Sequence, residues 1–285
     1  MNGGEKMCNV VSIINMKGGV GKTTLTINLA YYLAYLENQK VLIIDFDPQS
    51  NSSSAYITYN RYEELLDERK VISEIFTDID RIIGPVSSRN PKLLTLSDLS
   101  VNVRSTKDKG KIDIVVSELE LSKVLERSGG AAIEERLAKI LEEKKKAYDY
   151  VLIDCSPTYS VLTNNALMAS DYILIPVKPD PFSARGIPML LKKIEQHNRL
   201  HNDKKVEVLG IVFNLIKDDL KYMDSVKAQI MATYPNVFQT EISVCEHYSK
   251  GLMENKTIYE TSAQYWFKDE FTAFAKEFIE KIEKR

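Results

Sequence analysis

Short, unbroken apolar runs alternate with longer amphipathic stretches along most of the chain. Asn9–Ile14 is the first run, and the glycine-rich segment KGGVGK follows it at once. The helical repeat then predicts a helix from Lys22 to about Leu36, and the runs Val41–Ile44, Ile112–Val116, Tyr150–Ile153, Tyr172–Val177, Val208–Phe213 and Val237–Ile242 predict further strands. Helical patterns fill most of the intervals: about Ala131–Lys146, Ala184–Arg199, Leu220–Tyr234 and Gln264–Lys284. Runs this short and continuous suit strands buried on both faces, joined by helical crossovers. The predicted fold class is α/β: a doubly wound, mainly parallel sheet with helices on both faces. In such sheets ligands bind beyond the carboxyl ends of the strands.

One region breaks the rhythm. Between Pro85 and Lys111 the chain is polar and strand-like, with turn residues at both ends, and reads as a surface hairpin or excursion. No repeat or Pro-rich linker marks a boundary, so residues 1–285 read as a single domain carrying that excursion at about 85–111.

A hydrophobic share of 44% and a charged share of 27% exclude wholesale disorder, and the formal charge of −2 excludes a chain that is basic throughout. Cys8, Cys155 and Cys245 are far apart, with no CxxC to hold a metal or an iron–sulfur cluster. His197 and His201 have the spacing of two zinc ligands, but no HExxH glutamate lies between them, so they read as a solvated helix face. The start of the chain has no signal-length apolar stretch, and no run approaches the ~20 apolar residues of a membrane span. The expected compartment is the cytoplasm.

The candidate chemistry opens at Lys17-Gly18-Gly19-Val20-Gly21-Lys22-Thr23-Thr24, between a predicted strand and a predicted helix. Glycines let the backbone turn its N–H groups around phosphate oxygens, and the helix N-terminus adds partial positive charge at the same spot. Lys22 can reach β- and γ-phosphates, and the Thr23 hydroxyl can ligate magnesium. A glycine-rich turn that binds nothing would not need the strand before, the helix after and GKTT together. The expected ligands are ATP and Mg2+.

The usual loop has a glycine five places before Gly21, where this chain has Met16, and a second lysine, Lys17, opens the loop instead. In this deviant Walker A signature, KGGVGKTT, the chain resembles the ParA/MinD family of ATPases. The resemblance continues through IIDFDPQSN (43–51), YDYVLIDCSP (148–157), LTNNAL (162–167) and IPV (175–177), and DPQ at 47–49 places it nearer the ParA branch. It implies an ATP-dependent homodimer with nucleotide sandwiched between two copies. Lys17 would reach the ATP of the other subunit, and Gly18 would let the two loops approach closely. A lysine supplied in trans would act like an arginine finger, worth about 10³–10⁵ in rate, or roughly 4–7 kcal/mol of barrier.

Asp45 and Asp47 follow the second predicted strand two residues apart, so in an extended segment they point the same way. The resemblance makes Asp47 the residue that orients the attacking water, Asp45 a support of the magnesium shell, and Asp154 the Walker B acid that holds magnesium through a water. A lone strand-terminal Asp is as often a turn or cap residue; three at these places favour chemistry. The family usually has proline where Ser156 stands, which puts the coupling of this segment in question, while Pro157 is kept. Asn214, ending the sixth predicted strand, can read an adenine edge with its amide or cap the following turn, and 178–187 is expected to supply adenine-pocket backbone.

The expected role is a ParA-type dimerisation switch that partitions or positions DNA or a protein cargo. It would bind DNA non-specifically with ATP bound, answer to a ParB-like or cargo-adaptor partner that stimulates hydrolysis, and associate with the nucleoid if the DNA step holds. Lys250 and Lys256 with lysines of the last helix, or Lys192, Lys193, Lys204 and Lys205, are the candidate DNA surfaces. The alternative is a MinD-like membrane-associated ATPase. Phe271, Phe274, Phe278 and Ile282 recur at helical spacing in the tail, as in a lipid-binding helix, but Glu277, Glu280 and Glu283 would be repelled by anionic lipid. That stripe therefore reads as core, and a membrane partner is disfavoured.

Overall fold

The computed structural model describes residues 8–77, 94–125, 131–142, 145–217 and 220–285. Each predicted apolar run is a strand: β1 (Asn9–Ile13), β2 (Lys40–Phe46), β4 (Lys111–Val115), β5 (Tyr150–Cys155), β6 (Tyr172–Val177), β7 (Glu207–Ile216) and β8 (Val237–Ser243). An additional strand, β3 (Val101–Ser105), pairs antiparallel with β4. The sheet order is β3-β4-β2-β5-β1-β6-β7-β8, and every pair other than β3–β4 is parallel. The doubly wound, mainly parallel architecture is therefore as the sequence predicts. Of the 85–111 excursion, residues 85–93 lie outside the described residues. The remainder holds the short helix Leu96–Leu99 and the β3–β4 hairpin, which extends the sheet edge.

Both faces of the sheet are buried, which is why the strands read as continuous apolar runs. Val10, Leu42, Ile44, Val151 and Ile153 pack into one layer, with α4 (Val161–Ala169), α5 (Ser183–Leu200) and α6 (Lys221–Thr233). Val11, Ile13, Val41, Ile43 and Leu152 pack into the other, with α1 (Lys22–Tyr31), α3 (Tyr59–Asp67) and α8 (Tyr265–Glu283). Alternate residues of one strand thus feed opposite cores, as the period of two requires. The short helices α2 (Asn51–Tyr56) and α7 (Glu246–Met253) lie near the carboxyl edge, where α2 touches both α7 and α1.

Some boundaries move. The predicted 131–146 helix is broken into Ala131–Glu134, Arg136–Glu142 and a turn at Lys145–Ala147. The helix from Lys22 relaxes into a wider π-type turn over Tyr32–Leu36. His197 is not on a solvated face: only 6% of it is exposed, and its ring lies 4.7 Å from that of His201. Burial pushes its imidazole down to about 4, with His201 adding to the shift. Among the described residues no cluster of three or more His, Cys, Asp or Glu could hold a metal.

The tail stripe is core. Phe271, Phe274 and Phe278 are fully buried and Ile282 is 6% exposed. Glu277, counted above as a charge that anionic lipid would repel, accepts from the backbone N–H groups of Gln239 and Thr240, at 2.8 and 2.9 Å. Glu270 accepts from Ser243 N at 2.6 Å. These carboxylates satisfy donors of the outermost strand β8, as sheet edges require. Among the described residues no helix is long and apolar enough to cross a membrane.

Candidate functional site

β5 and β6 flank β1, so the loop leaving β1 lies between two other strand ends. Gly19 and Gly21 hold left-handed φ angles of +70° and +88°, a region where a side chain costs about 1–2 kcal/mol. A Cβ on Gly21 would also lie 2.1 Å from Asn214 Nδ2. α1 begins at Lys22 with no side-chain cap, leaving first-turn N–H groups to face a ligand. A cavity of about 500 Å³ opens over them, lined among others by Gly18, Lys22, Thr23, Asp47, Pro157 and Leu252.

Lys22 is 7% exposed, and burial lowers its ammonium pKa against the opposing pull of Asp154 and Asp47. Burial thus disfavours the charged ammonium, a penalty that an anion placed beside it would relieve. Asp154, the penultimate residue of β5, acts on that charge. Its Oδ2 accepts from Thr23 Oγ1 at 2.7 Å and from Ser52 Oγ at 2.6 Å, whereas its buried Oδ1 has no hydrogen-bond partner among the described residues. A buried oxygen left this way is costly unless something cationic completes it. Hydroxyl and carboxylate oxygens are the donors Mg2+ takes, so the residues fit that ion. Burial raises the Asp154 carboxyl pKa, and a bound divalent cation would reverse that penalty.

Asp47 is 7% exposed, and its Oδ1 accepts from Gln49 N at 3.0 Å. It lines the cavity. Asp45 does not. Asp45 is fully buried; its Oδ2 accepts from both N and Oγ of Ser53 at 2.7 Å, and its Oδ1 from Asp47 N at 3.3 Å. Both oxygens are committed to protein donors, so Asp45 braces α2 and the Asp47 turn. Burial and then the neighbouring Asp154 raise its pKa.

β7 runs past Asn214, and the residue is 2% exposed, with Nδ2 donating to Val20 O at 2.8 Å. That bond uses one of the amide's two N–H donors. Asn214 ties β7 to the loop from beneath.

Lys17 is placed at the loop mouth as expected, but its Nζ is ion-paired with Asp180 of the same chain. Asn15 fixes the loop's start: its Oδ1 accepts from Lys17 N at 2.9 Å, and its Nδ2 donates to Pro176 O at 2.7 Å. Asn15, Ser52, Ser53 and Asp180 are the site residues that sequence reasoning missed. The serines carried one faint signal, a run of small hydroxyls directly after DPQ.

Several lysines of the candidate DNA surfaces are ion-paired. Lys250 pairs with Glu246 at 2.8 Å, Lys256 with Glu254 at 2.8 Å, Lys281 with Glu277 at 3.7 Å and Lys284 with Glu280 at 3.2 Å. Lys204 pairs with Glu142 at 3.7 Å, and Lys193 sits 4.7 Å from the Tyr159 ring centroid.

Comparison with known proteins agrees with this geometry. Residues 8–208 match the model of the AAA domain family. The sporulation initiation inhibitor protein Soj of Bacillus subtilis is 33% identical over 211 residues, which cover 74% of this chain and 74% of Soj. Among solved structures, a plasmid partition protein from Borrelia burgdorferi superimposes with a TM-score of 0.71 at 23% identity, covering 96% of this chain and 99% of that one. An ATP complex of McdA from Cyanothece gives a TM-score of 0.75 at 19% identity, covering 97% of each chain. At these identities the two structures speak for the fold, while the family rests on the matched model and on Soj. With the loop KGGVGKTT seated between β1 and α1, the chain belongs to the ParA/MinD family of P-loop ATPases.

Proposed function

We propose that this chain works as one ATPase domain that pairs with a second copy around two molecules of ATP with Mg2+, and that hydrolysis to ADP and phosphate separates them. The cycle would position a DNA or protein cargo. The observation that carries the reading is Gly18. Its φ is not left-handed, and a Cβ added to it would meet nothing within 4 Å. Neither its backbone nor any neighbour among the described residues asks for glycine there. A second body closing over the loop would.

Thr23 and Asp154 would hold Mg2+, and the bound ion would offset phosphate charge. Lys22 would bind the β- and γ-phosphates, while the loop N–H groups fix their orientation. Asp47, fixed through Gln49, would orient a water in line with the γ-phosphate and accept its proton. Lys17 of the second copy would approach from outside, where negative charge builds on the transferring group. Asp45 and Ser53 keep the Asp47 turn in place.

The paired form would bind duplex DNA without sequence preference, and a ParB-like or cargo-adaptor partner would stimulate turnover. The ion-paired lysines imply a weak surface that gains strength by doubling in the dimer. Asp47→Ala protein, which should retain ATP, is expected to double in mass with ATP and Mg2+ but not with ADP, by sedimentation. Only the doubled form should retain random duplex, with a salt slope of about 0.9 per phosphate neutralised. A mass that never doubles sinks the switch. A dimer that ignores DNA at low salt removes the DNA step and leaves cargo positioning on another surface.

A further inference from the structure

We propose that Asp180 is an intramolecular latch: it holds Lys17 out of action in the single chain and must let go before two copies can close around ATP. The inference rests on the pairing reading above and adds a residue that the reading lacks.

Both ends of the ion pair are anchored. Asp180 lies just beyond β6, where its Oδ1 accepts from the backbone N–H groups of Phe182 and Ser183 at 3.1 and 3.0 Å. That leaves Oδ2 for Lys17 Nζ. Ser183 steadies the same turn from the other side by donating its hydroxyl to Lys178 O at 2.5 Å. Lys17 is pinned through its backbone to Asn15, and Asn15 in turn to Pro176 at the end of β6. The carboxylate is thus preset at the tip of the strand to which the lysine's own backbone is tied. Forming the contact orders little more than the lysine side chain, and the Asp180 carboxyl is held below its usual pKa, with the bond to Lys17 the largest favourable contribution against burial.

An ammonium engaged by Asp180 cannot also serve a second copy's phosphate. Each subunit must therefore exchange its own carboxylate for a phosphate across the interface, and the latch sets how much ATP-bound protein is needed before pairs form. It also keeps Lys17 from curling back over the anionic ligand of its own loop, so that the charge is delivered only in trans.

The side chains are 36% and 15% exposed, so this is a half-exposed pair. Such pairs are worth up to about fivefold in an equilibrium constant, and two are broken per dimer, up to about 25-fold in total. Asp180→Asn removes the charge but keeps an amide oxygen for the Phe182 and Ser183 donors. Asp180→Ser is a second variant with a hydroxyl in that place. Two readouts decide. In the ADP-bound protein, the Lys17 amine should react several-fold faster with an amine-selective reagent once Asp180 is replaced, as located by mass spectrometry. In an Asp47→Ala background with ATP and Mg2+, the dimer dissociation constant should fall by about 2- to 25-fold.

Ser183→Ala keeps the carboxylate but removes a hydroxyl bonded both to Lys178 O and to Asp180 Oδ1 at 3.1 Å, and should move both readouts clearly less than Asp180→Asn does. Unaltered Lys17 labelling in both Asp180 variants overturns the latch. So does faster labelling with unchanged or weaker pairing, or a Ser183→Ala effect as large as that of Asp180→Asn. If Asp47→Ala protein stays single with ATP while labelling still responds to Asp180, the ion pair stands. The pairing reading then falls, and with it the latch's purpose.

Discussion

Gly18 and Gly21 lie three residues apart in one loop, yet the structure assigns them opposite fates on substitution. At Gly21 the backbone is left-handed at +88°, and a Cβ would sit 2.1 Å from Asn214 Nδ2. The conformation alone costs an L-residue about 1–2 kcal/mol, and the contact forces Asn214 off its bond to Val20. That bond is buried, adding about 1 kcal/mol or more. Gly21→Ala should therefore lower stability by roughly 2–3 kcal/mol and the midpoint of thermal unfolding by about 5–10 °C, with nucleotide binding damaged too. At Gly18 neither penalty exists, so Gly18→Val should unfold within about 2 °C of the parent and bind nucleotide normally, since surface changes are usually worth under ~0.5 kcal/mol. Yet it should abolish ATP-dependent pairing. Differential scanning calorimetry, a fluorescent-nucleotide titration and sedimentation with ATP measure the three quantities. Gly18→Val protein that pairs as tightly as the parent would refute the reasoning, as would one that unfolds as early as Gly21→Ala.

Asp154→Asn removes the carboxylate that carries the unpartnered oxygen. Magnesium affinity in the nucleotide complex should fall about 10- to 100-fold, while metal-free nucleotide binding is largely kept; an unchanged Mg2+ titration would remove Asp154 from the metal site. Phe274→Ala empties a fully buried position of α8, with an expected loss of about 3–5 kcal/mol in urea unfolding and no effect on liposome binding. A large liposome effect with little change in stability would reverse the core assignment. His197 is buried with its imidazole pushed down to about 4. The unfolded chain binds a proton near its ordinary pKa and the fold does not, so this contribution is present above about pH 6.5 and is lost as pH falls toward 4, on the order of 2 kcal/mol. His197→Leu should flatten that part of the acid limb in urea titrations at successive pH values. An unaltered limb would mean that His197 titrates normally.

Strand positions were legible because strands buried on two faces leave unbroken apolar runs, and Leu42, Ile44, Val151 and Ile153 lie in one core while Ile43 and Leu152 lie in the other. β3 was harder to read because it is an edge strand: Asn102 and Ser105 are exposed and no run forms. α2 was invisible since four of the six residues of Asn51–Tyr56 are polar. Ser52 and Ser53 are buried by bonds to Asp154 and Asp45, while Ala55 and Tyr56 alone join the core. The loop's place between β1 and α1 was legible, because its glycines and lysines stand at a distinctive spacing between an apolar run and a helical repeat. Which carboxylate oxygens stay free was not. Asp45 and Asp47 look equivalent in sequence, and only the fold gives Asp45 to Ser53 and leaves Asp47 in the cavity. Asp180 lies 163 residues from Lys17, flanked by prolines that advertise a turn and hide the ion pair.

Two inactive proteins, mixed, would test delivery of Lys17 across the interface most directly. Lys17→Ala chains keep Asp47 but lack the lysine; Asp47→Ala chains supply the lysine but cannot position water. In a mixed dimer the site on the Lys17→Ala subunit has its own Asp47 and its neighbour's Lys17. Equal mixing should restore about a quarter of the parent's ATP turnover, since half the dimers are mixed and each has one complete site of two. A mixture as inactive as its components would show that the lysine serves its own loop or none, contradicting the account.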